Sequence, residues 1–319
     1  MEVSGPRAPG YAGPLADVWT AVRTGRMRDA TTLLADVDCA ALDPTQQVLL
    51  GALEVELLLA AGDLDAASAA GGTLSDATGG TDAAAAISGI ALGELAAAGG
   101  DHNASYALFA RVDGLPDTGL LRPWRAGAAL ALVRTGRRTD AAGLARAQVE
   151  RSAVDPFGRA HGLRVLAVAE AGHDPVGVLR EAHDAAAEAD DARLSAQLEA
   201  DLAALMLVAP SRNVPAEAIA LLRTSERYAA RERLWPLHAR VSHLLMRTGE
   251  RPRPLEGEVS ALLTSAEMRV ARLVVEGLTN RAIAERLDVS IKGVEWHLSR
   301  IYRKLGITAR AELVGMLAG

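Results

Sequence analysis

One cysteine, Cys39, occurs in 319 residues, so no disulfide can form within the chain. Cys39 is expected as a small buried or half-exposed residue. Lysine is almost as scarce: Lys292 and Lys304 are the only two. With none before residue 292, a Gly-x-x-x-x-Gly-Lys-Ser/Thr phosphate loop is excluded from the first nine-tenths of the sequence. Aromatic residues make up 3% against 50% apolar. A core built from Ala, Leu and Val favours closely packed helices over a sheet. No strongly apolar run reaches the length of a membrane span, and the nearest stretch, 82–98, is mostly Ala and carries Glu94. Residues 1–14 lack the basic start and apolar run of a secretion signal, so a cytoplasmic protein with no membrane partner is expected. The seven His are scattered without metal-ligand spacing, and no Gly-x-Ser-x-Gly elbow or Cys/His set stands out. Asp190-Asp191 reads as a helix N-cap and solvated loop. No enzyme, cofactor or metal is expected.

What is present divides the chain. The net charge of −6 is uneven: residues 264–319 hold nine Lys or Arg against six Asp or Glu, and the remainder 25 against 34. An acidic body therefore precedes a basic tail. The body repeats. A small-small-Gly-polar turn recurs at Gly25, Gly62, Gly99-Gly100, Gly136, Gly172 and Gly249. The first five lie 36 to 38 apart, and the last step, 77, is about two periods, with the missing turn expected near Pro210-Ser211-Arg212. An apolar helix precedes each glycine, which supplies its left-handed stop. A shorter helix follows, with a small residue five positions on: Ala30, Ala67, Ala104 and Ala141. A helix-turn-helix unit repeated with this period predicts an α-solenoid. It resembles tetratricopeptide repeats, above all at Gly62 to Ala67, though its units are longer and poorer in aromatics.

Residues 1–13 are expected to be flexible, 14–250 the helical repeat, 251–262 a Pro- and Gly-containing linker, and 263–319 a separate domain. In that domain Thr264 and Glu267 form a capping box. The helix it opens stops at Gly277. Thr279 caps a second helix, Asn280 to Leu287, and Ser290 caps a third, Ile291 to Leu305. A fourth runs from about Ala309 to Leu317. In the third helix Val294, Leu298, Ile301 and Leu305 share one stripe at 100° per residue, so the opposite face carries Trp296, Arg303 and Lys292 with Ser299 and Arg300 beside them. Exposed Trp296 marks either a contact surface or packing against the body.

These residues resemble the LuxR, or NarL/FixJ, class of regulator domains. The resemblance rests on Leu263-Thr264 with Glu267, Gly277, Asn280, Ile283-Ala284 and Leu287. It continues through Ser290, Val294, His297-Leu298, Ile301, Lys304-Leu305-Gly306-Ile307 and Arg310. It departs at Ala266, Gly293 and Glu295, where Arg, Thr and Lys are usual. The resemblance implies an all-α helix-turn-helix domain that binds double-stranded DNA and regulates transcription. Glu295, Trp296 and Ser299 would face the bases, while Lys292, Arg300, Arg303 and Lys304 would suit phosphates. A helical repeat followed by this tail also resembles the C-terminal part of the large ATP-dependent LuxR-type regulators, without their ATPase module.

Leu313, Met316 and Leu317 form a stripe on the last helix, widened by Val314 and Ala318. By resemblance this stripe would pair two copies on DNA as a homodimer. The alternative is an internal stripe and a monomer. The body would then take a protein or small-molecule effector. A competing reading is an interaction or anti-activator protein whose tail binds DNA weakly or not at all, and another is an enzyme hidden in the repeat.

Overall fold

The computed structural model describes residues 14–80, 82–116, 122–170, 174–208, 216–250, 252, 263–305, 307 and 309–317, and among them the chain is helical with no strand. The body runs as helix pairs: α1 (Pro14–Arg23) with α2 (Met27–Ala35), α3 (Pro44–Ala61) with α4 (Leu64–Gly72), and α5 (Ala83–Ala98) with α6 (His102–Ala110). It continues with α7 (Trp124–Arg134) and α8 (Arg138–Arg151), α9 (Pro156–Ala169) and α10 (Pro175–Glu188), α11 (Ala192–Val208) and α12 (Ala216–Glu232), and then α13 (Trp235–Arg247).

The repeating turn works by two local devices. Gly25, Gly62, Gly100, Gly136 and Gly249 all take positive φ, the conformation that ends a helix at little cost without a Cβ. The polar residue after the glycine then starts the next helix where it is Asp: Asp63 and Asp101 accept the amides of Ala66 and Ala104. The crossing residue is buried at Ala30, Ala67 and Ala141. In the third unit Gly100, not Gly99, carries the positive φ, which moves the crossing position from the expected Ala104 to fully buried Ser105. Gly172 and the break near Ser211 lie outside the described residues.

Two other expectations change. Asp190 and Asp191 do make a cap, with Asp191 accepting the Leu194 amide at 2.9 Å. Yet Asp191 is buried, because left-handed Asp190 turns it under the start of α11. Cys39 is exposed in a short 3-10 turn.

The row of helix pairs closes on itself. Ala21, Met27 and Ala30 of the first pair share one apolar cluster with Leu222, Tyr228, Ala229 and Leu234 near the end of the body. The Tyr228 hydroxyl donates to the Gly25 carbonyl at 2.6 Å. A Cβ on Gly25 would lie 2.6 Å from the Arg193 nitrogen, so only glycine lets these two turns meet. Closure encloses charge. Glu56 of α3 accepts from Arg122 at 2.7 Å and from Arg193 of α11, while Arg164 and Arg240 meet at Asp201. Two guanidinia hold the Glu56 carboxyl, otherwise raised by burial, down at about 2.

Candidate nucleic-acid interface

Four helices build the tail: α14 (Ser265–Val275), α15 (Asn280–Leu287), α16 (Ile291–Leu305) and α17 (Arg310–Leu317). The first three starts are each fixed by a short polar side chain. Glu267 donates its amide to the Thr264 hydroxyl at 3.3 Å and takes the Thr264 amide on its own carboxylate at 2.7 Å. Thr279 accepts from Ala282 and Ser290 from Gly293, at 3.3 and 3.0 Å. Gly277 and Asp288, both at positive φ, make the turns on either side of α15. The Arg310 guanidinium donates to the Asn280 side chain at 3.1 Å and to the Leu278 carbonyl, tying α17 to the entrance of α15. Val294, Leu298, Ile301 and Leu305 are all buried, as their spacing requires, with Val270, Val274 and Ile283 facing them.

This core fixes the orientation of α16. Its first half turns Lys292, Glu295, Trp296 and Ser299 to solvent, with Trp296 55% exposed. Trp296 is thus not buried against the body. Its ring is instead braced locally: the Arg300 guanidinium lies 4.6 Å from its centroid and His297 meets it edge-on. Sequence reasoning passed over Val289 and Ile291, which are 44% and 45% exposed at the helix entrance. Apolar residues stranded beside a polar reading face were the available signal.

The four expected phosphate cations fall into different environments. Among the described residues Lys292 is in no ion pair. Lys304 is only 13% exposed and pairs at 3.0 Å with Glu267, itself 2% exposed, so in this structure a carboxylate of the same domain takes up its charge. Burial raises the Glu267 carboxyl, but the Thr264 amide and Lys304 more than offset this and hold it below its ordinary value. Arg303 and Arg300 reach out of the domain to Asp65 of α4, at 2.8 and 3.0 Å. Arg300 also lies 3.4 Å from Glu267. The second half of α16 therefore rests on the body. Ala239 of α13 joins the tail's apolar core, and a Cβ at Gly62 would sit 3.4 Å from the Lys304 carbonyl.

Of the stripe expected at a dimer contact, Leu313 is wholly buried in the domain's own core and is closed to a partner. A core this small needs its last helix to cover α14. The side chains of Met316 and Leu317 lie outside the described residues. Among the described residues no group of His, Cys, Asp or Glu is placed to hold a metal, and no helix is long and apolar enough to cross a membrane.

Comparison with known proteins agrees with this geometry. Residues 261–317 match the family of bacterial regulatory proteins of the luxR type. An HTH-type transcriptional regulator of Mycobacterium tuberculosis is 52% identical over 66 residues, covering 21% of this chain and 7% of that protein. The monoamine regulon transcriptional regulator of Klebsiella aerogenes is 39% identical over 59 residues, 18% of this chain and 26% of that protein. The oxygen regulatory protein NreC of Staphylococcus aureus is 42% identical over 53 residues, 17% and 24% respectively. The chain thus spans 7% of the length of the mycobacterial relative and about a quarter of the other two.

Proposed function

We propose, from the premise that residues 261–317 are a LuxR-family helix-turn-helix domain, that the chain is a sequence-specific DNA-binding transcription regulator acting in the cytoplasm. In this reading α16 enters the major groove with its first half foremost. The observation that carries it is Trp296, a large apolar ring standing in solvent between Glu295 and Ser299 on a helix whose other face is buried. Glu295 is suited to accept from a cytosine amino group, and Val289 and Ile291 to meet thymine methyl groups. Lys292 is available to a phosphate at once. Arg303 becomes available when Asp65 lets go, Arg300 when Asp65 and Glu267 both do, and Lys304 stays with Glu267. The helical body is the input part of the molecule, for an effector or a protein partner.

Selection of bound duplexes from a random pool by the full chain tests the reading. A recovered consensus that changes with Trp296→Ala supports it. Recovery without a consensus, weak at every salt concentration, favours the second reading, an interaction or anti-activator protein. The pairing of Arg300 and Arg303 with Asp65 is the observation on that side, because it neutralises two cations the groove would need.

A homodimer on DNA belongs to the same proposal. With Leu313 internal, the proposed contact rests on Met316 and Leu317, the remainder of the expected stripe. Two-fold pairing demands inverted half-sites about one helical turn apart. Sedimentation of the chain with a selected duplex gives two protomers per duplex if this holds, and one if the stripe is internal throughout.

A further inference from the structure

The closed body contains a half-buried cation that is in no ion pair among the described residues. Arg122 and Arg193 share Glu56, and Arg164 is held by Asp201. Arg23, at the end of α1, is in no such ion pair. Its Nε and Nη1 are shielded from solvent and have no hydrogen-bond partner. Its flat face lies on the Phe157 ring. Burial draws its pKa down to about 10, against the pull of Asp191 and Asp155, so it is still charged at neutral pH. A half-buried guanidinium with two shielded, open donors carries a desolvation penalty that Asp191, Asp155 and the Phe157 ring offset only in part, so its pKa stays lowered.

The space around Arg23 is open. A small chamber of about 40 Å³ lies on one side, walled by Trp19, Val22, Phe157 and Leu194. A larger chamber of about 630 Å³ lies on the other, with Gln148, Arg151 and Trp124 on its wall. Both are lined by Arg23, Arg122 and Phe157, which form their shared wall. The larger volume is that of an ordinary small-molecule site.

We infer that the body binds a small organic monocarboxylate, its head group paired with Arg23 at this shared wall and its apolar part against Phe157 and a neighbouring tryptophan. The guanidinium fork matches a planar carboxylate with two parallel N–H donors. The small chamber accepts a head group but not a second large substituent. Asp191 lines the small chamber and Asp155 the larger one, and both oppose the two charges of a phosphate ester more strongly than the single charge of a carboxylate. His161 lines the small chamber as a neutral imidazole. Burial, then Arg122, Arg164, Arg23 and Arg193, keep its pKa well below the ordinary value. This inference rests on reading the body as the input part. It gives that input a chemistry.

The test is thermal unfolding of the full chain without DNA, so its failure leaves the DNA reading untouched. Benzoate, phenylacetate and octanoate are titrated to about 10 mM at constant ionic strength, enough to load a site with a Kd of ~1 mM. Benzamide and inorganic phosphate serve as controls. At least one carboxylate should raise the unfolding temperature saturably, benzamide should not, and Arg23→Gln should remove the shift. Free of ligand, Arg23→Gln should unfold at the same temperature as the parent or higher, since it removes a desolvated charge whose shielded donors have no partner. A shift that persists in Arg23→Gln, a phosphate shift as large as the carboxylate one, or no carboxylate shift at all would overturn the proposal. So would a lower unfolding temperature in the ligand-free variant, because Arg23 would then be a structural prop.

Discussion

Arg303 directs one guanidinium nitrogen at both carboxylate oxygens of Asp65, 2.8 Å from each, across 238 residues of chain. Arg300 shares the same carboxylate, so the body holds the second half of α16 by the groups that a phosphate backbone would otherwise attract. Replacing Asp65 by Asn should therefore tighten binding to DNA. Both partners are partly exposed, so each pair is worth only about 0.2–1 kcal/mol. Two pairs together predict a gain of roughly two- to thirtyfold at low salt. Fluorescence anisotropy with a selected duplex reads it, and equal affinity of the two proteins would mean that the Asp65 pairing does not compete with DNA.

Lys292 and Trp296 should separate by role. Lys292→Ala should weaken binding to all sequences alike and reduce the slope of log affinity against log salt by about one. Trp296→Ala should alter base preference, by about 1–3 kcal/mol for each base interaction it removes, without unfolding the tail. Affinities across a salt series and a set of mutated sites distinguish the two.

Glu267 sets an acid limit on the tail. Its carboxyl lies below its ordinary value when folded, held by the Thr264 amide and Lys304 against the opposing effect of burial. A depressed carboxyl contributes stability above its unfolded pKa and loses it as pH falls through the folded one. The tail should thus be less stable below about pH 4 than at neutrality. Glu267→Gln, which keeps the cap's shape but not its charge, should flatten that dependence. Circular dichroism melts between about pH 3 and 7 check it, the dependence being on the order of one titrating group.

His161 acts in the opposite sense of charge. Burial among arginines keeps it neutral in the fold, whereas the unfolded chain takes up a proton below about pH 6.5. Its contribution is full above that pH and falls as the solution is acidified through it. His161→Phe should remove this loss, and the difference between the two proteins' melting temperatures should narrow or invert from about pH 7.5 to 5.5. A constant difference would mean the imidazole does not titrate on unfolding.

Ring closure of the body is testable at a single oxygen. Tyr228→Phe deletes the hydroxyl that meets the Gly25 carbonyl, at a cost of about 1 kcal/mol. Gly25→Ala should cost more, because it combines positive φ with a Cβ 2.6 Å from the Arg193 nitrogen. Urea unfolding of both variants gives the order, and a reversed order would mean that the turn can relax.

Local chemistry determined much of this protein in advance. A capping Thr or Ser, a glycine that can turn left-handed and a helical stripe of Val and Leu act within a few residues of themselves. The bounds of α15 and α16, the Thr264–Glu267 box, the solvent face at Glu295, Trp296 and Ser299, and the repeating turns of the body could therefore be read from order and spacing. What the sequence could not carry was anything that depends on residues far apart. No spacing links Asp65 to Arg303, Glu56 to Arg193, or Gly25 to Tyr228. Lys304 looked like one more basic residue on an exposed helix until the fold set Glu267 beside it. Leu313 looked available to a partner until the small domain needed it for its own core. Ser105 and Asp191 moved inward because one turn shifted by a residue and another was made by a left-handed Asp. Periodicity fixes which face of a helix is apolar, but only the closed arrangement of the helix pairs decides which charges meet across the interior. It leaves Arg23 there without an ion-pair partner among the described residues, because Asp191 and Asp155, the carboxylates that act on it, are turned to the helix-start amides of Leu194 and of Phe157 and Gly158.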